Sequence, residues 1–85
     1  MPETTEHRIK RLQMRSMRRG IKEMDLILSS FAAAHLPQLS EADLVLYDQL
    51  LNENDHDIYQ WVTRQVDAPD RYRLLVAAIQ NHMDA

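Results

Sequence analysis

Apolar residues recur at three- and four-residue intervals along nearly the whole chain, and no stretch alternates as a half-buried strand would. Over residues 5–17 the apolar positions are Ile9, Leu12, Met14 and Met17, a thin stripe on a basic helix. From Ile21 the stripe strengthens through Met24, Ile27, Leu28, Phe31 and Ala34. Pro37 lacks an amide donor and pushes His35-Leu36 towards extended geometry, so the second helix must end there. Ser40 has the chemistry of an N-cap, with Glu41 and Asp43 placed for the positive end of the helix dipole. The third helix runs to about Asn52, with Leu44, Tyr47 and Leu51 on one side and Leu46 and Leu50 on another. Asn54 or Asp55 caps a short fourth helix whose inner face is Ile58, Trp61 and Val62, extended by Val66. After a break at residues 67–70, with Pro69 tolerated in a first turn, the last helix shows the cleanest period: Tyr72, Leu75, Val76, Ile79 and Met83. The short connections favour antiparallel neighbours. The pattern therefore predicts an all-α fold, a compact five-helix antiparallel bundle over residues 5–83, with residues 1–4 and 84–85 as tails.

Composition narrows the function more than the fold. Eighty-five residues allow one core. The absence of cysteine removes disulfides and thiolate metal sites. The chain opens on polar sequence without the apolar run of a signal peptide, and no apolar stretch reaches the roughly 20 residues that span a bilayer. A cytoplasmic address and no membrane insertion are expected. The four histidines, His7, His35, His56 and His82, form no i, i+4 metal pair. A single glycine cannot build a phosphate-cradling loop, and no nucleophile elbow surrounds Ser16, Ser29, Ser30 or Ser40. The chain is expected not to be an enzyme. Its net charge of −3 hides an asymmetry: seven of the ten basic residues fall in residues 1–24, while residues 41–70 hold eight acids and only Arg64. Such a charge-polar molecule can steer a partner.

Gly20, the only glycine, sits in the helix-like run Arg18-Arg19-Gly20-Ile21-Lys22-Glu23-Met24-Asp25. A helix-interior glycine costs roughly 0.5–1 kcal/mol against alanine, so a bend or a close backbone approach has to explain it. Helical spacing would put Arg15, Ser16, Arg19, Gly20 and Glu23 on one face, with a notch at Gly20 between Arg19 and Glu23. Arg19 could then fork onto a partner's carboxylate or phosphate while Glu23 accepts from its donors. The plainer reading is an Arg19–Glu23 ion pair worth ~0.2–0.5 kcal/mol and a glycine that bends the chain. In a second cluster, residues 55–61, Trp61 reads as a core anchor, Tyr59 as pointing elsewhere, and Asp55 and Asp57 as helix-start residues.

Arg19-Gly20-Ile21-Lys22-Glu23 resembles the RGxxE motif of the small flavinylation factors that assist succinate dehydrogenase assembly, in their bacterial form. Lys10-Arg11-Leu12, Arg15-Ser16, Glu23-Met24-Asp25-Leu26 and Phe31 extend the likeness, and Leu50-Leu51 with the Asp55-His56-Asp57-Ile58-Tyr59-Gln60-Trp61 stretch resembles the family's second block. The resemblance implies a five-helix bundle that binds the flavoprotein subunit of succinate dehydrogenase, in some bacteria that of fumarate reductase, and promotes covalent attachment of FAD to a histidine there. It implies partner-binding roles for Arg19, Gly20 and Glu23, with Arg11, Arg15 and Asp25 beside them, and no catalytic residue. On this reading the chain acts as a monomer and holds no cofactor of its own, because the FAD belongs to the client. Bacterial members are cytoplasmic, and mitochondrial members carry a presequence absent here. The rival reading is a nucleic-acid-binding module using Arg8, Lys10, Arg11, Arg15, Arg18 and Arg19, opposed by the acidic remainder and a pI near 5.7. Direct binding of FAD is a third reading, opposed by the missing glycine-rich turn.

Overall fold

Three of the five helices begin where a short polar side chain can take up an orphan amide. Thr4 accepts the His7 amide at 3.1 Å and starts α1 (Thr5–Arg15), and Ser40 accepts that of Asp43 at 3.2 Å to start α3 (Glu41–Leu50). Asn54, rather than Asp55, accepts the His56 amide at 2.8 Å to start α4 (Asp55–Val62). Helix α2 (Lys22–His35) follows an extended Ile21 and has no side-chain cap. It stops at His35, and Pro37 lies in the following 3₁₀ turn, Leu36–Gln38. Pro69 precedes a second 3₁₀ turn, Asp70–Tyr72, that leads into α5 (Arg73–Asp84). The computed structural model describes residues 3–85, so the outer part of the expected N-terminal tail, residues 1 and 2, lies outside the described residues. No strand occurs among the described residues.

The helices form an all-α bundle with a Cα radius of gyration of 12.1 Å, against about 12 Å for a compact chain of this length. Helix α1 packs on α2 and α3, α5 on α2, α3 and α4, and α4 also on α2. Met24, Leu28 and Phe31 from α2, Leu44, Tyr47 and Leu50 from α3, and Ile58 and Val62 from α4 meet Tyr72 and Ile79 in one apolar core. Trp61 is buried against the Tyr72 ring, with centroids 5.8 Å apart, as its spacing predicts. Tyr59 departs from expectation: it is half-buried against the core. Histidines distant in sequence also meet. His35 and His82 share a hydrogen bond at 3.2 Å, Ser30 bonds His82 at 2.7 Å, and Phe31 stacks on His35, which ties α2 to α5.

The predicted stripes fail at four helix ends: Ala34 at the end of α2 and Met83 at the end of α5 are exposed, and the departures in α1 and α4 are larger. Met14 and Met17 are 67% and 50% exposed, because α1 turns its arginines towards α3 and ends before Met17. Only Leu12 of α1 is fully buried. Val66 is likewise exposed, because α4 closes at Val62 in a Schellman arrangement. The Arg64 amide donates to Trp61 O at 3.2 Å and that of Gln65 to Gln60 O at 2.9 Å, with Arg64 left-handed at φ 66° where glycine is usual.

A left-handed arginine costs roughly 1–2 kcal/mol, and the exposed Arg64–Asp84 pair at 2.9 Å returns little of it. Glycine's extra freedom in the unfolded chain offsets roughly 0.5–1 kcal/mol of that, so Arg64→Gly should raise the melting temperature by about 2–8 °C for a chain of this size. An unchanged or lower midpoint in a thermal melt would show that α4 does not need that backbone geometry.

Candidate functional site

Helix α1 does not continue through Gly20. The Ser16 hydroxyl donates back to Leu12 O at 2.7 Å and meets the buried Tyr47 hydroxyl at 2.6 Å, and the chain leaves the helix at this point. Residues 16–21 form a loop in which Arg18 is left-handed at φ 56° and its amide donates to Asp25 Oδ1 at 2.9 Å. The expectation of a glycine inside a helix is thus corrected, and so is that of a single helical face from Arg15 to Glu23. Nor does Gly20 supply a left-handed turn, since its φ is not positive. Its amide donates to Asp55 Oδ2 at 2.7 Å, and a Cβ there would stand 3.3 Å from the same oxygen. The glycine serves a close approach, and what approaches is a carboxylate of its own chain.

Arg19 is turned inwards as well. Its Nε donates to Asp55 Oδ1 at 2.8 Å, Nη2 bonds the same oxygen, and Nη1 donates to Leu51 O at 3.1 Å. The two side chains are 13% and 14% exposed. The expected Arg19–Glu23 pair is not formed, because Asp55 is the better-placed acid. This junction also suits the backbone charges. Leu51 caps the C-terminal end of α3, where carbonyls attract a cation, and Asp55 is the first residue of α4, where amides favour an anion. Asn54 does the capping of α4, which leaves both Asp55 oxygens for the loop.

The other arginines of α1 continue the same seam. Arg8 bonds Glu41 at 2.7 Å, Arg11 bonds Asp48 at 3.1 Å and Glu3 at 2.7 Å, and Arg15 bonds Asp48 together with Asn52 at 2.7 Å. The Arg11 guanidinium, helped by Arg8, holds the Glu3 carboxyl down at about 2, and these acids in turn raise the Arg11 pKa. Glu3 and Thr4, expected in a tail, are thereby tied to α1. The basic N-terminal segment and the acidic middle were read as a field for steering partners. In the fold they largely neutralise each other across the α1–α3 contact.

Of the six residues expected at a partner surface, Gly20 and Glu23 remain exposed, whereas Arg19, Arg11, Arg15 and Asp25 are engaged within the chain. Glu23 forms no ion pair among the described residues, and Arg18 and Lys22 are exposed on either side of Gly20. An open depression of about 360 Å³ lies at Gly20, but it is bordered by Arg19, Ile21, Glu53, Asn54, Asp55 and His56 rather than by Arg19 and Glu23 as expected. Asp55 is the site residue that sequence reasoning missed, because it read as a helix-start acid. Its signal was the spacing of Arg8, Arg11, Arg15 and Arg19 against Glu41, Asp48, Asn52 and Asp55. Among the described residues no three His, Asp or Glu side chains group as metal ligands, and no helix is long and apolar enough to cross a membrane.

Fold and site together define a small all-helical bundle that presents a clamped, charge-edged loop rather than a deep pocket. Residues 10–83 match the family described as Sdh5, flavinator of succinate dehydrogenase, and the chain belongs to that family. It is 50% identical over 74 residues to a protein of Meyerozyma guilliermondii named succinate dehydrogenase assembly factor 2, mitochondrial, covering 84% of this chain and 55% of that one. A protein of the same name from Scheffersomyces stipitis is 46% identical over 74 residues, with 84% and 50% covered. One from Drosophila persimilis, named assembly factor 2-A, mitochondrial, is 44% identical over 72 residues, with 82% and 45% covered. The chain thus spans about half the length of the curated relatives it matches. These eukaryotic, mitochondrial names correct two expectations, the bacterial type and the cytoplasmic address. A polar start to the sequence was no guide to compartment.

Tyr47 forms the floor under this loop. Burial pushes its hydroxyl up to about 12, against the pull of Ser16, Arg19 and Arg15. The folded pKa is raised, so the contribution is complete below the unfolded value of about 10 and is lost as pH climbs towards about 12, a change of about 2–3 kcal/mol. Burial and the Glu53 carboxylate raise Tyr72 too, so the test is a difference. Urea unfolding of wild type and Tyr47→Phe should show the wild-type advantage shrinking between about pH 9 and about pH 12. A constant gap would mean that Tyr47 is not buried as a neutral phenol.

Proposed function

We propose that this chain is a non-catalytic assembly factor that binds the flavoprotein subunit of succinate dehydrogenase and promotes covalent attachment of FAD to it. The observation that carries this reading is the family match over residues 10–83, which embraces all five helices from Lys10 of α1 onwards. The exposed Gly20 edge, flanked by Arg18, Lys22 and Glu23, supplies the surface on which the client docks. The bound chain holds the client in the arrangement in which its histidine reaches the flavin, a shift of population rather than a chemical step. The chemistry belongs to flavin and client, and this chain works as a monomer that retains no FAD. The flavoprotein subunit of fumarate reductase is a second client of the same surface.

The nucleic-acid alternative loses most of its donors. Arg8, Arg11, Arg15 and Arg19 all bond carboxylates of the same chain, which leaves Lys10 and Arg18 as exposed cations of that set. The lone glycine leaves direct binding of free FAD without a glycine-rich turn for the pyrophosphate, and calorimetric titration with FAD should give no saturable heat.

In cells lacking the native factor, expression of this chain should restore covalent flavin in the denatured client subunit, read as in-gel fluorescence. Glu23→Ala should lower that signal several-fold while shifting the melting temperature by less than about 2 °C, because an exposed, unpaired carboxylate contributes little stability. Unchanged fluorescence with and without the wild-type chain would overturn the assignment.

A further inference from the structure

We infer that Arg19 and Asp55 serve docking without touching the client: they are positioning residues that hold the Gly20 edge in its binding shape. This inference rests on the assembly-factor reading above and extends it to the origin of the loop's rigidity.

Two loop amides are held by aspartates, Arg18 N by Asp25 at 2.9 Å and Gly20 N by Asp55 at 2.7 Å. Asp55 therefore does two things at once: one oxygen fixes the backbone at Gly20, and the other holds Arg19, which in turn caps Leu51 at 3.1 Å. Nε, Nη1 and Nη2 of the guanidinium are all engaged inside the chain, and only 13% of the side chain faces solvent. A client carboxylate reaching Arg19 would have to displace Asp55 and leave that acid without its cation near the α4 terminus. Displacement would also release the Gly20 amide. Recognition through Arg19 would thus dismantle the very surface presented to the client, whereas Gly20 and Glu23 are exposed without any rearrangement.

Contact and positioning give different double-mutant cycles. The client's purified flavoprotein subunit is titrated by calorimetry with wild type, Arg19→Ala, Asp55→Ala and the double variant, each first checked for folding by far-UV circular dichroism. Positioning predicts that each single change weakens binding by roughly ten-fold and that the double is no weaker than either single, a coupling as large as the single effects. Additive losses, or an Asp55→Ala chain that binds as well as wild type or better, would overturn the inference.

Hydrogen exchange at the Gly20 amide supplies a readout that needs no client. Asp55→Ala should speed exchange there by at least about ten-fold relative to global opening, while Glu23→Ala should weaken docking and leave that amide slow. Asp55→Asn keeps an acceptor for Gly20 and serves where the alanine variant does not fold; its exchange should fall between the two. Unaltered Gly20 exchange in the folded Asp55 variants would sink the inference even if the chain restores flavinylation. A wild-type chain with no affinity for the client would instead remove the functional reading, and this inference with it.

Discussion

The carboxylate of Asp55 is the point at which this small bundle is tied together. It lies where α1 has ended, where α3 presents its last carbonyls and where α4 presents its first amides. An anion alone would suit α4 and a cation alone would suit α3; the Arg19–Asp55 pair satisfies both in one place. Removing charges of this kind from water is unfavourable in itself, and the pair is worthwhile because its remaining donors and acceptors are also used. The Gly20 amide completes that set. The loop shape follows from it, and the close carboxylate favours a small residue at position 20.

The same constraint governs how the chain uses its charges. Arginines at 8, 11, 15 and 19 keep one direction although α1 ends at Arg15, because the loop carries Arg19 onward along the seam to Asp55. Acids on α3 and at the start of α4 receive them. Most of the apparent dipole of the sequence is thereby cancelled at short range, where screening by salt is weakest. What remains at the surface is local: an exposed backbone edge at Gly20, with Arg18, Lys22 and Glu23 around it. A surface of that kind selects by shape and a few bonds more than by long-range attraction.

The helices were legible because their signals are local. Pro37, the Ser40 and Asn54 caps and the apolar periods of α2 and α5 act within one turn of where they stand in the sequence. The errors fall where a distant residue decides. Ser16 ends α1 with the help of Tyr47, thirty-one positions away, so the run through Gly20 looked helical and was not. Arg64 occupies a left-handed position without the glycine that would have announced the end of α4. The His35–His82 contact crosses 47 positions and has no sequence signature. At the candidate site, Gly20 was read as a place of close backbone approach by something outside the chain. Close approach was the cause, but by Asp55, thirty-five residues on, which only the register of α1 against α3 reveals.

That origin of Gly20 bears on how such a loop can bind at all. A six-residue loop pays for ordering when it docks, and each rotamer-rich side chain fixed at an interface adds roughly 0.5–1.5 kcal/mol. Here the ordering is done beforehand, by two aspartates on two loop amides and by an arginine that joins three helix ends. A side chain at residue 20 would press on the Asp55 oxygen at 3.3 Å and stand over the exposed edge at the same time. The absence of a side chain therefore meets an internal and an external demand together. The internal demand is visible in the structure as a contact that a Cβ would make only if the Asp55 carboxylate gave way by a few tenths of an ångström; the external one adds the requirement that nothing else cover the spot.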